Sequence, residues 1–337
     1  MKRRSIAIGI GLVVCAIWLI GMSGAAFAAD KYRFKMQHLH SAAEIVKFHQ
    51  DFAEKVKTNT GGRIVIDVFP SGALVPTAQM AQAVGTGTLD MAFCYGGYHS
   101  GALDVANIES GLPMAWGNID EATRFHQVLD FDTMIREAYA GINVRWMNPV
   151  MENPFLLLTK KPVHSLADLK PMKIRATVTI ASILKPFGIA TVYLPAEEFY
   201  TALSTGVIDG VIYGSEASYA GLKLQEVAPY ITDMKILNPM SSAIIMNKKT
   251  WEGMPADLKG ILEETSKAAY GVSYFAYRAK LDAAARKHFK ATQFKAEDVG
   301  KLTGAAQVVW ETEAKKSPRV AKGVELLRAL AKEHGRL

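Results

Sequence analysis

The sequence predicts an α/β fold of two lobes, on three observations. The order strand, helix, strand, helix, strand occurs twice. One 18-residue stretch of the first copy aligns with the second without a gap, and a long helix in the last third of the chain would outreach either lobe. A chain of 337 residues that is 50% hydrophobic and 21% charged has the apolar content for two packed cores.

The first copy begins with a strand at Tyr32 to Gln37. A helix follows from Ala42 to Lys57, with Ile45, Phe48, Phe52 and Val56 at helical spacing. Ile64, Ile66 and Val68 alternate as a strand to Phe69. After a Pro/Gly turn come a helix from Pro76 to Val84 and a strand from Leu89 to Phe93. The second copy has strands at Met172 to Ala176, Ala190 to Leu194 and Ile208 to Tyr213, with helices near Ile180 to Lys185 and Pro195 to Leu203. Pro76–Phe93 lies on Pro195–Ile212 at a constant offset, with Pro, Ala, Thr, Gly and Asp identical at Pro76/Pro195, Ala83/Ala202, Thr86/Thr205, Gly87/Gly206 and Asp90/Asp209. Proline suits a first helical turn, glycine closes the helix in the left-handed conformation, and the aspartate opens the next strand.

Beyond Tyr230 the pattern changes to a strand at Ala243 to Met246 and near-continuous helix from Pro255 to about Lys290, where Gly271 is the point of weakness. At 1.5 Å per residue such a helix reaches roughly 54 Å, enough to touch both lobes. Helices at Glu297 to Ala314 and Pro318 to Lys332 end the chain. The expected division is 29–152 with 240–280 for lobe I, and 153–239 with 281–337 for lobe II.

Residues 1–28 read as an export leader: Lys2, Arg3 and Arg4, an apolar run from Ile6 to Ile20, and Ala26-Phe27-Ala28 as the cleavage signal. The expected location is the periplasm. The leader holds three of the cations behind the net charge of +7, and no basic block of five or more occurs elsewhere, which argues against a nucleic-acid partner. Cys15 falls within the leader, so Cys94 stands alone and core burial must stabilise the exported chain without an intrachain disulfide.

Ligands of open α/β lobes bind beyond the carboxyl ends of the parallel strands, so two facing lobes make a cleft there. Arg175 closes a strand just before a helix start, a combination that favours a carboxylate; the competing reading is a surface arginine. Tyr95 and Tyr213 follow repeat-related strands and either pack an apolar ligand or serve the sheet and hinge. Ser215 lies on the same strand-end loop as Tyr213; Glu44 and Glu152 either orient polar ligand groups or are solvated, and Trp116 is a candidate wall. His38, His40 and His49 have no completing Cys/His/Asp cluster and no HExxH, so they read as structural, and no metal or cofactor is expected. No GxSxG elbow or nucleotide cradle occurs, so a binding protein is expected rather than an enzyme. The alternative is a secreted enzyme acting on a carboxylated substrate in the same cleft.

Three segments resemble the extracytoplasmic solute-binding proteins of tripartite ATP-independent periplasmic (TRAP) transporters, the DctP-like family. They are Thr60-Gly-Gly-Arg-Ile64 running into Val68-Phe-Pro-Ser-Gly-Ala-Leu74, then Leu166-Ala-Asp-Leu-Lys-Pro-Met-Lys-Ile-Arg175, then Tyr200-Thr-Ala-Leu-Ser-Thr-Gly-Val-Ile-Asp-Gly210. The resemblance spans essentially the whole exported chain. It implies a two-lobed periplasmic binding protein fold (type II-like), joined by crossing strands and a spanning helix. It also implies that Arg175 binds the substrate carboxylate, and that the partners are a small-molecule carboxylate and the small and large membrane subunits of a permease, with the receptor a monomer. The metal-bridging branch carries an acidic–aromatic pair where this sequence has Ile212-Tyr213, and the sialic-acid branch an Asn near Ser215. Pro171 stands where glycine is usual.

Overall fold

The computed structural model describes residues 30–337; the expected leader lies outside them. Two mixed sheets carry the fold. The first contains β1 (Tyr32–His38), β2 (Ile64–Phe69), β3 (Met91–Cys94), β4 (Val144–Glu152) and β10 (Met240–Asn247), in the order β2-β1-β3-β10-β4. The second contains β5 (Phe155–Thr159), β6 (Lys173–Arg175), β7 (Ala190–Val192), β8 (Gly210–Ile212), β9 (Tyr230–Leu237) and β11 (Lys290–Thr292), in the order β11-β9-β5-β8-β6-β7. The repeated units supply the parallel parts, β2-β1-β3 and β7-β6-β8. In each sheet a strand from elsewhere in the chain joins antiparallel: β10 beside β3, and β5 beside β8.

The helices used below are α1 (Ala43–Asn59), α2 (Met80–Thr86), α3 (Val178–Leu184), α4 (Phe199–Thr205), α5 (Glu216–Gly221), α6 (Ala256–Tyr270), α7 (Val272–Ala285), α8 (Ala296–Ala314) and α9 (Pro318–Glu333). The glycines and aspartates of the repeat act as expected, whereas Pro76 and Pro195 lie in non-helical backbone ahead of a short 3-10 turn and not in a first helical turn. Gly87 and Gly206 end α2 and α4 at φ 80° and 81°, left-handed values that glycine adopts without penalty. Asp90 and Asp209 then accept a hydrogen bond from a backbone N–H of the neighbouring parallel strand, Lys35 within β1 at 2.8 Å and Lys173 at the start of β6 at 2.9 Å. Each aspartate thereby fixes strand register in its own sheet.

Three connections cross between the sheets. β4 runs into β5 through Asn153-Pro154, and β9 returns to β10 through Asn238-Pro239, a cis peptide. The third is helical. The predicted long helix is two helices, α6 and α7, broken at Gly271, whose ψ of −138° leaves the helical region. α6 packs on α1 of the first lobe, while α7 lies on both β4 and α5, so the pair spans the lobes as expected. The C-terminal assignment needs correction. α9, placed with lobe II on sequence order, packs on the first lobe: Gly323 lies so close to Phe131 and Ile108 that a Cβ there would meet them at 2.5 and 2.6 Å. Tertiary packing, not chain order, chooses the lobe.

Candidate ligand-binding site

Between the lobes lies a narrow cavity of about 20 Å3, lined by Leu39, His40, Tyr95, Tyr98, Glu152, Asn153, Phe155, Tyr213, Gly214, Ser215, Ser218, Met240 and Arg278. It collects strand ends. Tyr95 follows β3, Glu152 ends β4, and Tyr213 follows β8. Phe155 stands between the two repeat-related tyrosines, its ring 5.9 Å from Tyr95 and 6.2 Å from Tyr213.

Arg175 sits one ring behind this wall. A capping box between Ser165 and Asp168 fixes the turn at Leu166–Leu169 that feeds β6, and Arg175 is the last residue of that strand. Its guanidinium carbon lies 4.8 Å from the ring centre of Phe199, 5.0 Å from Tyr193 and 5.4 Å from Tyr213. Nε donates to Leu194 O at 3.0 Å and Nη1 to Ile212 O at 3.2 Å. Nη2 is buried without a well-formed hydrogen bond, and the Tyr98 phenol lies close enough to the guanidinium to be a weak partner. Among the described residues no carboxylate comes within ion-pair distance, and Arg175 is 0% exposed. Thr177, two residues on, has a buried Oγ1 without a well-formed hydrogen bond, close to the Tyr95 phenol. A guanidinium held dry with no counter-charge is a costly arrangement.

At the hinge end of the cavity a second buried guanidinium has both Nη groups engaged. Arg278 of α7 donates through Nη1 to Glu152 Oε2 at 3.0 Å, and through Nη2 to Ser218 Oγ at 2.9 Å and Ser215 Oγ at 3.3 Å. It therefore ties the end of β4 to α5, one group from each lobe. Glu152 also accepts from His40 Nε2 at 2.9 Å and from Ser242 Oγ at 2.5 Å. Burial pushes the Glu152 carboxyl up, but His40, Arg278 and Ser242 more than offset it and hold it below its ordinary range. Burial keeps His40 neutral in spite of Glu152, so its Nε2–H is the donor and Arg278 pairs with the carboxylate instead of the imidazole. His49, against Tyr270 at 2.6 Å, and His38, stacked on it at 4.3 Å, complete a buried aromatic cluster. No group of three or more potential metal ligands occurs among the described residues.

Of the sequence candidates, Tyr95, Tyr213, Ser215 and Glu152 line the cavity and Arg175 backs it. Two do not belong there. Glu44 is exposed on α1, beside a separate groove with Ala217 and Leu281, because its helical position points away from the strand ends. Trp116 is buried with Nε1 donating to Pro239 O at 2.6 Å, and lines a different cavity of about 270 Å3 with Trp310 and Arg336. That cavity and a groove between α3 and α8 are larger than the interlobe one, yet neither gathers the strand ends. Missed on sequence were Asn153, Ser218 and Arg278. A signal for Arg278 existed: Tyr270, Tyr274, Arg278 and Asp282 recur every four residues, so polar and aromatic side chains fill the inward stripe of the spanning helices.

Residues 37–317 match the model of the family described as "Bacterial extracellular solute-binding protein, family 7" (DctP). The chain belongs to this family. The family is extracytoplasmic and serves TRAP transport, and its members are receptors for small solutes. No helix among the described residues is long and apolar enough to cross a membrane. One curated relative, the ectoine/5-hydroxyectoine-binding periplasmic protein UehA of Ruegeria pomeroyi, is 26% identical over 260 residues, covering 76% of this chain and 75% of that protein. A TRAP periplasmic solute-binding protein from Chromohalobacter salexigens, solved with (S)-(+)-2-amino-1-propanol, superposes with a TM-score of 0.82 at 22% identity, covering 90% of this chain and 96% of that one. Another from Roseobacter denitrificans, solved with β-D-glucuronate, gives 0.79 at 21% identity over 88% and 99%. The two-lobed periplasmic-binding fold expected from the sequence is thereby shown.

Proposed function

We propose that this receptor captures a small organic carboxylate between its lobes, with Arg175 as the anchor, and delivers it unchanged to the membrane subunits of a TRAP transporter. Structural neighbours hold solutes with and without a carboxylate, so the fold alone does not choose. Arg175 carries the choice. Keeping a guanidinium dry without a counter-charge is costly, and an incoming carboxylate removes that cost while accepting from Nη2. Tyr95 and Tyr213, one from each lobe, would close on the body of the ligand, and Ser215 and Glu152 would hold the hinge end through Arg278. Ligand contacts made from both lobes favour the closed form, so affinity reflects the difference between open and closed states.

A thermal-shift panel of carboxylic acids tests the reading. An acid present at 100 times its Kd should add about 2.7 kcal/mol of stability. Arg175→Ala should abolish the response to every acid that stabilises the wild type. A response unchanged in that variant would remove the anchor.

A further inference from the structure

We propose that the captured acid carries a hydroxyl group, and that Asn153 with Arg278 selects it; this rests on the carboxylate reading above. Asn153 occupies the crossing from β4 to β5 and lines the cavity at 7% exposure. Its Nδ2 donates to Asp282 Oδ2 on α7, and the other oxygen of Asp282 accepts from Ala217 N–H at 2.9 Å. A carboxylate oxygen only accepts, so reversing the amide would set two acceptors face to face. The orientation is therefore fixed from behind, and Oδ1 is the amide atom left without a partner.

Arg278 supplies the complement. Its Nη1 and Nη2 are committed to Glu152, Ser215 and Ser218, whereas Nε is buried with no partner. The buried side-chain atoms of the cavity wall that lack partners are thus one acceptor, Asn153 Oδ1, and one donor, Arg278 Nε. Only a group that both donates and accepts satisfies the two, and a hydroxyl does so without charge. An ammonium would satisfy the amide oxygen but meet a guanidinium, and a methylene would leave both atoms unpaired. Glu152 is a weaker rival acceptor, since its oxygens already receive three donors, from His40, Ser242 and Arg278.

The test is calorimetric titration of the exported chain with matched acids: lactate, propionate and alanine; 3-hydroxybutyrate and butyrate; mandelate, phenylacetate and phenylglycine, each chiral acid as both enantiomers. In at least one series the hydroxy acid should bind roughly ten to a hundredfold more tightly than its deoxy and amino counterparts. Asn153→Ala should bring the hydroxy and deoxy Kd values together. Equal wild-type affinities for the hydroxy acid and its deoxy partner in every series that binds, or a preference for the amino acid throughout, would overturn the inference while leaving the Arg175 anchor standing. Binding of none of the acids overturns the carboxylate reading itself, and this inference falls with it. Because the decisive comparison uses wild-type protein, it does not depend on the variant's folding.

Discussion

Breaking the Arg278–Glu152 pair should destabilise the protein more than any surface ion pair could. The two side chains are each 2% exposed and their charged atoms lie 3.0 Å apart. At an effective dielectric constant of about 20 the attraction is ~5 kcal/mol, and desolvation consumes several kcal/mol of it. Removing one partner is different, because the survivor stays buried. Glu152→Gln leaves Arg278 without its counter-charge, and Arg278→Met leaves Glu152 without its guanidinium, while Ser215 and Ser218 lose their donor. Each single variant should cost about 3–5 kcal/mol. The double variant removes both charges together and should cost about 2–3 kcal/mol less than the sum. Urea unfolding at pH 7.5, followed by both fluorescence and far-UV circular dichroism to check that the lobes unfold together, measures the cycle. Single variants costing under about 1 kcal/mol, or a cycle additive to within about 0.5 kcal/mol, would refute the claim that this pair is desolvated and coupled.

Glu109 should impose a pH limb of its own. Burial pushes its carboxyl from 4.5 to about 7, only partly offset by the donors Tyr139 and Trp146 at 2.7 Å. The folded chain therefore holds this proton where the unfolded chain has lost it, so its contribution is complete below pH 4.5 and disappears as pH rises to about 7. That difference is worth roughly 3 kcal/mol, and the stability of wild type minus Glu109→Gln should fall by about that much across the window; a flat difference refutes it. His38, held near 3 by burial, acts in the opposite sense, losing stability as pH falls from 6.5 toward 3, and it cancels in the subtraction. Gly87→Ala and Gly206→Ala should each lower stability by about 1 kcal/mol in thermal melts, since a Cβ there meets nothing closer than 3.8 Å and only the left-handed backbone is strained. Glu44→Ala should leave acid-induced thermal shifts unchanged, as should Trp116→Phe, which loses about 1 kcal/mol of stability with its bond to Pro239; loss of the acid response in either would return that residue to the site.

The sequence by itself determined the repeated βαβαβ units, because helix closure by Gly87 and Gly206 and strand registry by Asp90 and Asp209 are local chemistry written at fixed spacing. It also placed Arg175, Tyr95, Tyr213, Ser215 and Glu152 near the cleft, since strand ends are readable from periodicity and the carboxyl-end rule locates them. It could not separate Glu44 and Trp116 from that set, because both lie in segments whose direction is set by packing. Tertiary structure alone decided that α9 returns to the first lobe and that antiparallel β10 and β5 complete the sheets. It also decided which polar atoms lack a well-formed hydrogen bond. Arg175 Nη2, Arg278 Nε and Asn153 Oδ1 are distinguished by partners that their neighbours took first, and those neighbours are brought to them by folding from distant parts of the chain.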